Sequence, residues 1–249
     1  MLLLGDIGNT ETKICLVNSN KKIIKKITFS SKNITNAKLK KNFKKLKLKN
    51  LSLEKCLFCS VVPKTFKIIK KHITRYYKTK CFELKDLKIN KLIKIKVNKK
   101  QIGSDRLANA IGSINNKDNF IILDFGTATT FDVLVKNVYL GGIISPGIRL
   151  SLNTLITNAS LIPNLNLKKI DKVIGSNTIN AVRSGFFWGY AGLIDNIVDL
   201  IMKETKKKFK VIITGGFSKL FTNSLRSKVI IDKDITIKGL IRTIRLVDF

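Results

Sequence analysis

The chain of 249 residues contains one histidine, His72, and four cysteines, Cys15, Cys56, Cys59 and Cys81. That scarcity argues against a zinc site, which wants a second ligand pair beside the CxxC of Cys56 and Cys59. The CxxC lies inside KCLFCSVV, a β-rich run, so all four thiols read as core residues. No apolar run approaches the roughly 20 residues of a membrane span; the uncharged candidate Ser184 to Ile194 is far too short. A basic leader is also missing, and Asp6 interrupts the apolar start, which does not read as a signal peptide. Reduced thiols without an export signal predict a cytoplasmic protein that makes no membrane contact. His72, in the basic stretch KKHITRYY, reads as a surface residue.

Acidic residues are scarce as well, 16 against 48 basic ones, for a net charge of +32. The excess is uneven: residues 1–100 carry +23, residues 101–200 only +1 and residues 201–249 +8. Of the basic side chains only seven are arginine. Nucleic-acid readers usually combine arginine forks with stacking aromatics, and both are sparse here. A lysine-rich solvated surface is one reading; a polyanion surface for nucleic acid or acidic membrane is the other.

What is present is a pattern told twice. Residues 1–7, 12–18 and 22–29 read as three strands in quick succession, joined by Gly8-Asn9-Thr10 and Asn18-Ser19-Asn20 turns. A helix over about 36–47, a strand at 55–62, a helix from Pro63 to about 78 and a weak strand at 80–84 follow. The run FIILDFGTATTFDVLVKNVYLGGIISPG at 120–147 again gives three strands. Helices at about 148–159 and 179–205, a strand at 210–216, a helix from 217, a strand near 228–231 and a final helix near 236–246 complete it. The spacing predicts an α/β protein of two lobes, 1–116 and 117–249, each a mixed sheet opening with three antiparallel strands and flanked by helices. The helix SDRLANAIGSINN bridges them.

In both copies the first strand ends in an aspartate followed by a glycine turn: LLLGDIGNT and IILDFGTAT. Glycines let a backbone approach a ligand closely, successive N–H groups form an anion nest, and a carboxylate there can meet Mg²⁺ or K⁺ on phosphates. One copy alone reads more readily as a hairpin turn; two, each opening a three-stranded run, point to a nucleotide triphosphate held from both sides.

This pairing resembles the phosphate loops of the actin, sugar kinase and Hsp70 ATPase superfamily, whose lobes are RNase H-like. Within it, DIGNTETK at 6–13, GSDRLANAIG at 103–112, LDFGTATTFDV at 123–133, GGIISPG at 141–147, GSNTINAVRSGFFWGYAGLID at 175–195 and ITGG at 213–216 resemble the type III pantothenate kinases. The resemblance implies transfer of the ATP γ-phosphate to pantothenate, giving 4'-phosphopantothenate in the first step of coenzyme A synthesis. It implies ATP contacts by Asp6, Ile7, Gly8, Asn9, Thr10, Glu11, Thr12 and Lys13, and by Thr127, Gly215 and Gly216. It places Mg²⁺ near Asp6 through water and a monovalent cation, K⁺ or NH₄⁺, on Asp124. Substrate contacts fall to Gly103, Ser104, Asp105, Arg106 and Thr178, with Asp105 as general base and Arg106 on the pantothenate carboxylate.

Bland alternatives stand beside these roles. Ser104 and Asp105 also suit a helix start, as cap and first-turn acid, and Thr178 suits a cap of the long helix. The GFFWGY face reads as core or as an interface, since the family is homodimeric. Two departures matter: Ser104 stands where the family more often has alanine, and Lys96-Val97-Asn98-Lys99 lacks the aromatic and the proline usual there. Rival functions are a related small-molecule kinase or phosphatase, or a catalytically weak regulator whose basic first lobe binds nucleic acid.

Overall fold

In a computed structural model, residues 1–48 and 52–247 are described. The first unit comprises Met1–Ile114 together with the segment from Asp234 onward. It opens with β1 (Leu2–Ile7), β2 (Glu11–Val17) and β3 (Ile23–Ser30), then α1 (Asn36–Lys44), β4 (Lys55–Ser60), α2 (Pro63–Tyr77) and β5 (Cys81–Glu83). A two-residue strand β6 (Lys94–Ile95) and three 3-10 turns, at Leu84–Asp86, Ile89–Lys91 and Lys99–Gln101, lead into α3 (Ser104–Ser113). The sheet runs β3-β2-β1-β4-β5, antiparallel through β3, β2 and β1 and parallel through β1, β4 and β5.

Burial follows from that order. Strand β1 is central and almost wholly buried, while the edge strand β3 alternates, sending Lys26 outward and Ile27 inward. Gly5 faces Phe58 across the parallel β1–β4 pair, and a side chain at Gly5 would overlap that ring. Helix α2 starts with Pro63 in its first turn and buries Phe66, Ile69 and Ile73 at helical spacing against Leu3, Ile14 and Phe58.

The second unit, Asn115–Lys233, repeats the plan. Strands β7 (Asn119–Phe125), β8 (Ala128–Val135) and β9 (Val138–Pro146) precede α4 (Ile148–Asn158), α5 (Thr178–Thr205), β10 (Lys210–Gly215), α6 (Ser218–Phe221) and β11 (Val229–Ile231). Within this unit five strands run β11-β10-β7-β8-β9, with β10 parallel to β7 and β11. Helix α5 buries Phe187, Ala191, Ile194, Val198 and Ile201, alternating steps of four and three residues, on Ile121, Leu123 and Ile213. Phe125 and Phe187 each stack on Phe221 at 5.4 Å.

Two expectations are corrected. The final helix, α7 (Ile235–Leu246), belongs with the first unit rather than with 117–249. It packs on α3, where Gly112 and Gly239 each face the partner helix's backbone so closely that a side chain at either would clash, and Thr236 Oγ1 donates to Asn109 Oδ1 at 2.7 Å. His72 is not on the surface. It is 2% exposed on the buried face of α2, ringed by Phe43 at 4.9 Å and Tyr76 at 4.7 Å. The lysines around it made the helix read as basic on every side, whereas its 3.6-residue period gives it a buried stripe.

Candidate active site

In the first unit, β1 delivers Asp6 to the tip of the sheet, and the chain turns at once into β2. The turn is closed by Gly8 N–H donating to Glu11 O at 3.0 Å, with Asn9, Thr10 and Glu11 exposed. Ile7 and Thr12 point inward; Thr12 Oγ1 and Ser31 Oγ share a buried hydrogen bond of 2.8 Å. Of the eight residues expected to touch ATP here, those two have wholly buried side chains, which leaves only their backbone for such a contact. Asp6 pairs in register with Cys59 of β4, whose thiol donates to Asp6 Oδ1 at 3.5 Å and Gly5 O at 3.7 Å. Burial, then the neighbouring carboxylates of Asp6, Asp105 and Glu83, push the Cys59 thiol well above the ordinary range. It is therefore a neutral donor.

Asp105 sits in the first turn of α3. Gly103 occupies the cap position, so Ser104 is not the cap, and its hydroxyl instead donates to Glu83 Oε1. Asp105 Oδ1 accepts from Arg106 N–H at 2.7 Å. Burial raises the Asp105 carboxyl above the usual range; the Arg106 N–H, the Arg106 guanidinium and the Lys85 ammonium pull it back. Glu83, at the end of β5, is raised by burial too, against hydrogen bonds from Ser104, Lys85 N–H and Ser60 N–H. Three carboxylates thus gather around one thiol. A raised carboxylate beside a helix start is suited to accepting a proton from an alcohol.

In the second unit Asp124 stands at the tip of β7, followed by a hairpin in which Gly126 N–H donates to Ala128 O at 3.1 Å and Thr127 is exposed. Gly215, with φ +86°, lies against it: a Cβ there would come within 2.6 Å of the Phe125 backbone and 2.7 Å of Asp124 Oδ1. Gly216 N–H donates to Phe125 O at 3.1 Å. The structure therefore brings Asp124, Thr127, Gly215 and Gly216 together. The oxygen donors gathered here suit a hard cation such as K⁺ or Mg²⁺. Among the described residues no group of three or more His, Cys, Asp and Glu could hold a metal ion by itself. A cation here would share its shell with phosphate oxygens.

Thr178 is the first residue of α5 and is exposed; the cap is Asn177, whose side chain accepts from Asn180 N–H at 2.9 Å. Gly175 lies so close to Asn180 and Ala181 that a side chain would clash with their backbone, which seats the GSNT segment on the helix start. Reading the sequence overlooked Cys59, Glu83 and Lys85. The signal for Cys59 is the parallel pairing of LLLGDI with KCLFCS, which sets it opposite Asp6; Glu83 and Lys85 lie beyond a weak strand and left no comparable mark.

A profile of the type III pantothenate kinases matches residues 2–200. The chain belongs to this family. A type III pantothenate kinase of Pelagibacter ubique (strain HTCC1062) is 67% identical over 99% of this chain and 100% of that one. Among solved structures, a Campylobacter jejuni protein described under the Baf family superposes with a TM-score of 0.61 at 19% identity, covering 98% of this chain and 97% of its own. An inorganic polyphosphate/ATP-glucomannokinase from Arthrobacter sp. strain KM gives a TM-score of 0.51 at 15% identity, covering 98% of each chain. These likenesses place the two mixed sheets in the actin-like ATPase fold of the sugar kinases. Type III pantothenate kinase membership favours a phosphotransferase over the nucleic-acid-binding regulator. No helix among the described residues is long and apolar enough to cross a membrane.

Proposed function

We propose that this type III pantothenate kinase transfers the γ-phosphate of ATP to pantothenate, yielding 4'-phosphopantothenate at the first step of coenzyme A synthesis, with Asp105 as general base. The observation that carries the assignment is the Asp105 carboxylate itself: half-buried, raised above its usual range, and fixed by Arg106 N–H in the first turn of α3. A loose phosphoryl transition state needs mainly positioning and charge neutralisation, so a weak base is enough. Asp105 accepts the hydroxyl proton as the new phosphorus–oxygen bond forms and the bond from the γ-phosphorus to the ADP oxygen breaks, releasing ADP. Arg106 offers a planar fork to the pantothenate carboxylate, Gly103 leaves room beside Asp105, Thr178 adds a hydroxyl, and Ser104, whose buried side chain is turned to Glu83, has only its backbone to offer the substrate.

The hairpin residues Asp6 to Lys13 and the loop with Thr127, Gly215 and Gly216 contact ATP. Asp6 would hold Mg²⁺ through water and Asp124 would hold K⁺ or NH₄⁺, and these cations would neutralise phosphate charge. A homodimer is supported by the face of α5 on which Gly185, Gly189 and Gly192 have open space beside them, next to Phe186, Tyr190 and the exposed Leu155. Four free, buried thiols support the cytoplasm as its compartment.

The decisive experiment measures ADP release with and without pantothenate, in K⁺ and in Na⁺ buffer, for the native protein and Asp105→Asn. We expect pantothenate-dependent, K⁺-requiring turnover that falls by about 10²–10⁴ in the variant while ATP binding persists. Wild-type turnover in folded Asp105→Asn refutes the assignment of the base.

A further inference from the structure

The segment ahead of Gly103 lacks the proline that the family usually carries, and a proline there would fix φ and stiffen the approach to the substrate loop. In this chain the same segment is tied down by side chains. Lys85 Nζ donates to Lys100 O at 2.9 Å and to Ile102 O at 2.8 Å. Lys99 Nζ donates back across the same gap, to Lys85 O at 3.0 Å and Leu87 O at 3.2 Å. Two ammonium groups thus cross-stitch residues 85–87 to residues 99–102. Ammonium-to-carbonyl bonds are charge-assisted and stronger than neutral ones.

Glu83 extends the tie to the loop itself. Its Oε2 accepts from Lys85 N–H at 2.6 Å, and its Oε1 accepts from Ser60 N–H at 3.2 Å and from the Ser104 hydroxyl. Ser104, where the family more often has alanine, therefore has a partner that an alanine could not use. Asn98 caps the 3-10 turn Lys99–Gln101 through its side chain, which accepts from Lys100 N–H at 3.0 Å. Lys99 is the first residue of that turn, a position where proline is well tolerated.

We propose that Lys85 and Lys99 are positioning residues of the pantothenate loop: their crossed bonds to backbone carbonyls, continued through Glu83 to Ser104, supply the restraint that a proline supplies elsewhere in the family. The inference rests on the reading of Gly103–Arg106 as that loop and of Asp105 as the base. The charged and titratable groups around Asp105 are Arg106 on α3, Lys85 after β5, and Cys59 on β4 with its neighbours Asp6 on β1 and Glu83 on β5. Lys85 has a second effect, because its ammonium favours the ionised form of Asp105.

The test is steady-state kinetics with varied pantothenate at saturating ATP, alongside thermal unfolding, for Lys99→Met, Lys99→Pro, Lys85→Met and Lys85→Arg. Lys99→Met is expected to raise the KM for pantothenate by about threefold to tenfold, with a smaller fall in kcat. Lys99→Pro is expected to bring KM back to within about twofold of the native value, since it restores the restraint by other means. Lys85→Met is expected to raise KM as well and to move the acidic limb of kcat/KM to higher pH; Lys85→Arg keeps that limb in place. The inference is overturned if Lys99→Met leaves KM unchanged, or if Lys99→Pro is as impaired as Lys99→Met. Should Lys85→Met fail to fold, the two Lys99 variants decide alone. Asp105→Asn, run beside them, separates the two ideas: retained turnover there refutes the base, whereas the KM values of the Lys99 variants judge the stitch.

Discussion

Asp6 and Asp124 occupy equivalent places in two sheets built to one plan, at the tip of a central strand that turns directly into an antiparallel neighbour. Their parallel neighbours differ. Across from Asp6 stands Cys59, and across from the next residue, Ile7, stands Ser60; across from Asp124 stands Thr214, and across from Phe125 stands Gly215. In the first unit the carboxylate keeps company with a buried thiol and, through it, with Glu83 and Asp105. In the second it lies against bare backbone. The strand order fixes where an acid can be presented, while the residue on the adjoining parallel strand decides what the acid can do. One tip is set beside a neutral thiol, the other against a glycine backbone that leaves no room for a side chain.

The comparison breaks most readily at Gly215. Gly215→Ala forces a Cβ onto a backbone at φ +86° and into the space beside Phe125 and Asp124. A loss of about 1–3 kcal/mol in stability is expected, with ATP affinity down by more than about tenfold. The matching change in the other unit, Ser60→Ala, gives up only the bond from Val62 N–H to Ser60 Oγ at 3.1 Å, worth about 1 kcal/mol or less. Thermal unfolding and nucleotide titration of both variants test this, and equal tolerance would remove the claim that the second tip is a backbone cradle.

A smaller effect sharpens the contrast at Cys59. Cys59→Ala removes the weak donor to Asp6, and kcat/KM for ATP is expected to fall by about twofold to fivefold, as for loss of one weak hydrogen bond. The thiol state is checked separately with iodoacetamide at pH 8. Burial pushes Cys15 up to about 11 and Cys56 up to about 12, and Cys59 and Cys81 also rise. Little thiolate exists at that pH, so all four should resist alkylation until the protein unfolds. Rapid labelling of Cys59 in folded protein contradicts the picture of a neutral donor.

The strands around the two aspartates were legible because apolar runs punctuated by Gly, Asn and Asp carry both period and boundary in a few residues. The paired tips were legible for the same reason, whereas Asp105 and the glycines of ITGG were singled out by the resemblance to the family. Three things were not. The return of α7 to the first unit depends on Gly112 and Gly239 meeting across more than a hundred residues. The crossed lysines look like any other surface lysines until the two segments that they join are side by side. Asn177 and Gly103, rather than Thr178 and Ser104, cap their helices because the chain enters each helix one residue earlier than the hydroxyl suggests.

The least effect expected concerns the one histidine, which makes acid sensitivity another difference between the units, since the core of the second has no imidazole. Burial, and then the Lys40 ammonium, hold His72 below the usual imidazole range, and its Nδ1 is buried with no hydrogen-bond partner among the described residues. A group depressed in the folded state contributes stability above its unfolded value, about 6.5, which is lost as pH falls below it. Burial of Asp105 and Glu83 acts with the opposite sign, because raised carboxyls favour the folded state at low pH and cease to as pH rises. The difference between native protein and His72→Phe isolates the imidazole from them. His72→Phe keeps an aromatic ring beside Phe43, Tyr76 and Tyr77. It should gain up to about 1 kcal/mol over the native protein between pH 7.5 and pH 5, read as the shift of the urea midpoint at each pH. Parallel pH dependence of the two proteins would mean that His72 takes up its proton without cost, and that the aromatic cage around it is open to water.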